Sequence, residues 1–161
     1  MKFRFAGAFI CGECLSILRI FINYNICGII NPMNPEETRQ LFVTDRYAND
    51  TTEIEILEIE EGFAKTRLEI KDKHLNGNNV VMGGCIYTLA DYTFGIASNC
   101  GPMKCVTLSS NIVFNSPGKG KYLYAQTEQI KNGKTICNYS VKVTDDTGKL
   151  IANADFIGYR S

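Results

Sequence analysis

The chain has 161 residues, and its 17 Lys and Arg balance 17 Asp and Glu, so the formal charge is zero. A neutral chain presents no basic field to a phosphate backbone, which argues against nucleic acid as a main partner. The 45% hydrophobic and 21% charged content is that of one ordinary globular domain and excludes a long disordered chain.

Residues 1–32, MKFRFAGAFICGECLSILRIFINYNICGIINP, differ from the rest. A basic start leads into apolar residues, but Glu13 and Arg19 interrupt the run and no A-x-A-like cleavage site follows. The stretch also falls short of the roughly 18 uninterrupted apolar residues of a membrane span. It is therefore read as an appendage of uncertain role: an extension ahead of a start at Met33, or an extra helix lying against the domain or a partner. Residues 33–161 form the domain proper, with no membrane contact implied. Cys11 and Cys14 form CGEC, but no second close Cys/His pair follows and His74 is the only histidine, so a four-ligand zinc site is not expected. Seven cysteines are an odd count, better read as free buried thiols of a reducing, cytoplasmic compartment than as a disulfide framework.

NPEETRQLF has Asn34 as N-cap, Pro35 at the first helical position and Glu37 three residues after the cap, the pattern of a capping box. TTEIEILEIEEG then alternates apolar and polar residues, with Ile54, Ile56 and, less cleanly, Ile59 facing one way. FAKTRLEI after Gly62 is the expected hairpin partner. GGCIYTLADYTFGIASN follows, apolar on almost every side, as a buried helix is. VTLSSNIVFN, KYLYAQTEQIK, KTICNYSVKVTD and KLIANADFIGYR are strand-like and separated by SPGKG, NG and DTG turns. One long apolar helix and many half-apolar strands imply an α+β fold in which a sheet wraps around that helix.

Within the helix stands a single carboxylate, Asp91, the only charged residue between Leu75 and Met103. Removing an unpaired ion from water costs several kcal/mol, so its presence needs a reason. Gly83 and Gly84 open the same helix, where the first amides have no intrahelical acceptor and the absence of side chains lets a ligand come close. Such amides suit an oxygen that gains negative charge when a thioester or ester carbonyl is attacked. Asp91, two turns on, can act as a general base or as a nucleophile. Asn76, in the loop before the helix, carries an amide able to orient water or a carbonyl. Each feature also has an ordinary reading: a tight turn for Gly-Gly, a structural acid for Asp91, a packing role for His74 and a plain turn for HLNGNN.

The string H-x-N, then Gly-Gly, then T-L-A-D and G-x-A, with NIVFNSPG and G-K-L-I-A-N-A-D-F downstream, resembles the signature of hotdog-fold acyl-CoA thioesterases of the phenylacetate-degradation (PaaI) type. The resemblance runs from about Met33 to Arg160. It implies a hotdog fold, hydrolysis of aryl or short to medium acyl-CoA thioesters, and no cofactor beyond the coenzyme A of the substrate. It casts Asp91 as the catalytic carboxylate, Gly83 with Gly84 as the amides that polarise the carbonyl, Asn76 as the loop amide and Thr107 as the hydroxyl holding the attacking water, with Ser109 in its place if the register slips by two. It also implies a homodimer or a dimer of dimers whose glycine amide and acid come from different subunits. Met82, Tyr87, Tyr92 and Phe94 are candidates for an acyl pocket, and Lys119, Lys121, Lys134 and Arg160 for the coenzyme A phosphates. The chain departs from the family at Met82, where a histidine is usual, and a thioether donates no hydrogen bond. The second reading is thus a non-catalytic acyl-CoA or acyl-carrier binding module. A hotdog dehydratase would want a catalytic histidine, for which only His74 is available.

Overall fold

The computed structural model describes residues 32–161, so the expectations for the N-terminal appendage and its CGEC lie outside the described residues. Helix α1 (Pro35–Phe42) begins on the capping box expected of Asn34: its side chain accepts from the Glu37 N–H at 2.9 Å, and the Glu37 carboxylate accepts from the Asn34 N–H at 3.1 Å. A single π-turn (Tyr47–Thr51) leads into the hairpin β1 (Ile54–Glu60) and β2 (Phe63–Glu69). A loop then delivers the chain to α2 (Gly83–Asn99), which is followed by β3 (Cys105–Phe114), β4 (Tyr122–Asn132), β5 (Ile136–Asp145) and β6 (Leu150–Arg160).

All six strands join one antiparallel sheet in the order β1-β2-β4-β5-β6-β3. α2 lies across its inner face, giving the α+β hotdog arrangement expected. Leu89, Ala90, Phe94 and Ile96 of the helix are at most 1% exposed and share one core with Ala64, Leu68, Leu123, Val141, Ala154 and Phe156 of the strands. Burying a side chain of this size contributes about 1.5–3 kcal/mol, so the helix and the sheet hold each other in place. Phe94 stacks on Phe156 with ring centroids 4.8 Å apart and stands edge-on to Tyr139 at 5.4 Å. α1 crosses α2 at Gly95, where a Cβ would come within 3.0 Å of the Phe42 ring. The Tyr92 hydroxyl donates to the Phe42 carbonyl at 2.9 Å. Tyr92 and Phe94, candidates for an acyl pocket, are thus core residues, because the stripe they occupy faces the sheet and α1.

Two β-bulges set which side chains face the helix. In β1 the pairing slips between Ile56 and Glu58, so Ile54, Ile56 and Ile59 all sit opposite the inward residues Leu68, Thr66 and Ala64. That slip is why Ile59 breaks simple alternation. In β3 the pairing slips between Thr107 and Ser109. Thr107 lies opposite the inward Gly158, whereas Ser109 lies opposite the outward, half-exposed Ile157 and Ser110 opposite the buried Phe156. The free thiols of Cys105 and Cys137 meet at 3.5 Å over Gly158, a contact not foreseen, and Cys85 and Cys100 are free as well.

β3 is an edge strand, paired with β6 on one side only. Val106, Leu108 and Val113 along it are 62%, 58% and 53% exposed, an apolar edge without a neighbour among the described residues.

Candidate active site

The loop before α2 is shaped by its own amides. The Asn76 side-chain carbonyl accepts from the Asn78 N–H at 2.9 Å and the Val80 N–H at 3.4 Å, and Asn79 takes a left-handed conformation (φ 57°) to close the turn. Asn76 therefore keeps its NH2 group for an outside acceptor while its oxygen is spent on the loop. His74 is buried, with Nδ1 accepting from the Lys71 N–H at 3.1 Å and its carbonyl accepting from the Met82 N–H at 2.8 Å. Burial holds its pKa below the ordinary value. It is a packing histidine, as its position after a strand suggested.

At the head of α2, the Cys85 and Ile86 amides already fold back to the Met82 carbonyl at 2.9 and 3.1 Å. Among the described residues the Gly83 and Gly84 N–H groups find no acceptor, as the first donors of a helix do not. The Met82 side chain is 57% exposed beside them, its Cε 3.6 Å from where a Gly84 Cβ would stand. The Phe114 ring of β3 lies over Gly83, with Cζ 3.2 Å from a Cβ placed there.

One and two turns further along the same face of α2, two more contacts reach β3. The Tyr87 hydroxyl and Ser110 Oγ are 2.6 Å apart, and Thr107 Oγ1 donates to Asp91 Oδ1 at 3.4 Å. Gly83, Tyr87 and Asp91 are spaced by four, so the helical repeat places them in one stripe against the strand. Burial pushes the Asp91 carboxyl above its ordinary pKa, with Asp45 adding to the rise and the Thr107 hydrogen bond opposing it. Burial outweighs the Thr107 hydrogen bond.

The structure thus gathers Gly83, Gly84, Met82, Tyr87, Asp91 and Thr107 along the α2/β3 junction, with Asn76 in the loop leading to it. It leaves Ser109 on the outer face of the sheet, because the bulge at Leu108 reverses the alternation there. Ser110 is the hydroxyl that reasoning missed; a bulge leaves no mark in the sequence. Lys119 is exposed just past the turn facing the head of α2, where Val81 N–H donates to Gly118 O at 3.0 Å. Lys134 sits on the β4/β5 turn near Arg160, which pairs with Cys105 at the other end of β3. Arg160 itself is buried and bonded to Asn132 and Tyr139, so it is not a surface phosphate contact. No helix among the described residues is long and apolar enough to cross a membrane.

If Asp91 must be ionised to act, its raised pKa moves the acid limb of a rate profile upward. Thr107→Ala, which removes the one contact that lowers this pKa, is expected to shift that limb to still higher pH and to slow turnover several-fold on the acid side. The pH dependence of kcat/KM on the two proteins checks this.

Residues 78–152 match the family model described as the thioesterase superfamily. A protein of Archaeoglobus fulgidus named "Putative esterase" is 35% identical over 106 residues, covering 65% of this chain and 69% of that protein. The acyl-coenzyme A thioesterase PaaI of Escherichia coli is 29% identical over 100 residues, 62% of this chain and 71% of the relative. The E. coli PaaI structure superposes with a TM-score of 0.74 at 23% identity, covering 79% of this chain and 93% of that one. A structure of a Streptococcus pneumoniae "Hypothetical Thioesterase Protein" with coenzyme A gives a TM-score of 0.64 at 26% identity, covering 67% of this chain and 85% of that one. The same S. pneumoniae protein has been solved with an aspartate, and separately a threonine, changed to alanine. Those two positions are sixteen apart, as Asp91 and Thr107 are.

Proposed function

The chain belongs to the thioesterase superfamily, among hotdog-fold thioesterases of the PaaI type, and from that membership we propose that it hydrolyses acyl-CoA thioesters with Asp91 as the catalytic carboxylate. The observation that carries the reading is a half-buried carboxylate bonded to the Thr107 hydroxyl, on a helix whose head carries two amides without an acceptor among the described residues. The matched spacing of the aspartate and threonine altered in the S. pneumoniae thioesterase supports the same pair.

In this reading the thioester oxygen accepts from the Gly83 N–H, with Gly84 beside it, as negative charge develops. One such donor contributes about 2.7–4 kcal/mol to lowering the barrier. Asp91, with Thr107 aligning the water, removes a proton as water adds to the carbonyl carbon. The tetrahedral intermediate then collapses, the C–S bond breaks, and coenzyme A leaves as the thiol once it takes up the proton. Attack by Asp91 itself, through a transient anhydride that water opens, uses the same groups. The NH2 of Asn76, without an acceptor among the described residues, orients the carbonyl or the water in this reading. Lys119, near the same end of the domain, is a cation for the coenzyme A phosphates. Residues 33–161 act as the thioesterase domain.

Gly83 and Asp91 lie two turns apart, roughly 12 Å along the axis at 1.5 Å per residue. A single carbonyl cannot touch both from one protomer. The site is therefore shared: Gly83 of one protomer works with the acid of the partner subunit. The apolar edge of β3, unpaired among the described residues, supplies the surface for such a pairing, since an exposed edge strand invites a second copy and two-fold symmetry makes the contact reciprocal.

Release of coenzyme A from a panel of aryl, short and medium acyl-CoAs tests the activity; binding without cleavage would favour the ligand-module reading. Gly83→Pro, compared with Gly83→Ala as the control for the Phe114 ring that a Cβ there meets at 3.2 Å, tests the amide. It deletes the N–H at the first helical position, where proline is tolerated, and Met82 already has the extended backbone (φ −60°, ψ 137°) that a residue before proline prefers. kcat is expected to fall by about 10²- to 10³-fold. Mixing Gly83→Pro with Asp91→Asn after subunit exchange should restore about a quarter of wild-type activity, because half the dimers then hold one intact site of two. No recovery would place both groups in one subunit.

A further inference from the structure

Beside Gly83 a cleft of about 300 Å³ opens between the head of α2 and the end of β3, walled by Val80, Val81, Ile86 and Phe114. We propose that this cleft is the acyl pocket and that Phe114 sets the size of the acyl group it admits, a specificity role that rests on the Gly83 amide holding the thioester carbonyl.

Three observations carry this. The cleft includes Gly83, so a carbonyl held at that amide has one of its two substituents inside. The pantetheine arm is the wrong occupant, because it contains amides that must keep hydrogen-bond partners when buried. Four of the walls are hydrocarbon, and the Asn115 and Ser116 N–H groups are already bonded to the Ile151 carbonyl at 2.8 and 3.2 Å, which leaves the Asn115 and Ser116 side chains as the polar part of the lining. An acyl chain or a single aromatic ring needs no such partners. Finally, Phe114 is turned inward, opposite Ala152, yet remains 50% exposed with its ring tip on Gly83. A ring in that position leaves half its surface for a ligand. The volume lies at the small end of ligand pockets, which run from about 300 to 1,000 Å³, and fits a short aliphatic or one-ring acyl group in preference to a long chain.

The test compares the wild type with Phe114→Ala and Phe114→Trp on butyryl-, hexanoyl-, benzoyl- and dodecanoyl-CoA. Coenzyme A release is followed alongside binding of the matching non-hydrolysable thioethers by calorimetry. Phe114→Ala is expected to raise the dodecanoyl-to-butyryl ratio of kcat/KM by about 10-fold or more, the scale on which apolar pockets discriminate by size. Phe114→Trp should move the ratio the other way, and an opposite response from a larger side chain separates selection from damage to the fold. If both variants change every substrate by one common factor, Phe114 does not select and the proposal falls while hydrolysis stands. If no coenzyme A is released but the thioethers bind with a size preference that the two variants move in opposite directions, the pocket stands and the hydrolytic reading falls. If neither release nor binding is detected, both fall.

Discussion

Asp91→Asn is expected to lower kcat/KM for acyl-CoA hydrolysis by about 10²- to 10⁴-fold, the usual contribution of a positioned base. The amide keeps the size of the carboxylate and can still meet the Thr107 hydroxyl, so substrate binding should change little and the loss should appear in kcat. The same variant makes a second, opposite prediction for stability. Burial raises the folded-state pKa of Asp91 above its unfolded value, so the ionised carboxylate destabilises the folded protein. That destabilisation is complete above the folded pKa and absent below the unfolded value of about 3.9. Asp91→Asn should therefore raise the unfolding midpoint at pH 7, and the gain should shrink as the pH falls through the folded pKa. A residue that is dispensable for folding but required for turnover produces both signs at once; a structural acid would lose stability at neutral pH when replaced. Denaturation at pH 7 and pH 4, run beside the kinetic assay, distinguishes the two.

Phe94→Ala should cost about 3–5 kcal/mol, the range for truncating a fully buried aromatic. Phe94 is 1% exposed, stacks on Phe156 and meets Tyr139 edge-on, so its removal opens a cavity where α2, β5 and β6 converge. Against a total stability of about 5–15 kcal/mol this is a large fraction, and the midpoint should drop by roughly 10–20 °C. Acyl preference should not change among molecules that remain folded. A shift in preference without loss of stability would return Phe94 to the acyl pocket.

How far these features were legible in the sequence depended on whether a local signal marked them. The capping box at Asn34, the glycine-bearing turns and the limits of the apolar helix each have a chemical cause within a few residues, and each was found. Which stripe of that helix faces which neighbour has no local cause. A helix apolar on nearly every side gives no hint that Tyr92 points to α1, Phe94 to the sheet and Tyr87 to β3. The strand order is equally hidden, since β3 pairs with β6 some forty residues later and nothing in either strand names its partner. Ser109 stood as the alternative to Thr107 because strict alternation puts both on one face, and only the register shows that the Leu108 bulge turns Ser109 outward and Ser110 inward. Asp91 stood out for the simplest reason: a charge in apolar company is costly, and sequence alone is enough to see it.

The three contacts between α2 and β3 fall one helical turn apart, Asp91 with Thr107, Tyr87 with Ser110, and Gly83 with Phe114. That spacing sets the proposed chemistry and the proposed selection of the acyl group two turns apart on one helix. The rung bearing the acid is half-buried against β3, whereas Phe114 is 50% exposed and stands outside the buried core. A change of side chain at Phe114 is therefore expected to leave the Asp91–Thr107 contact and the core in place.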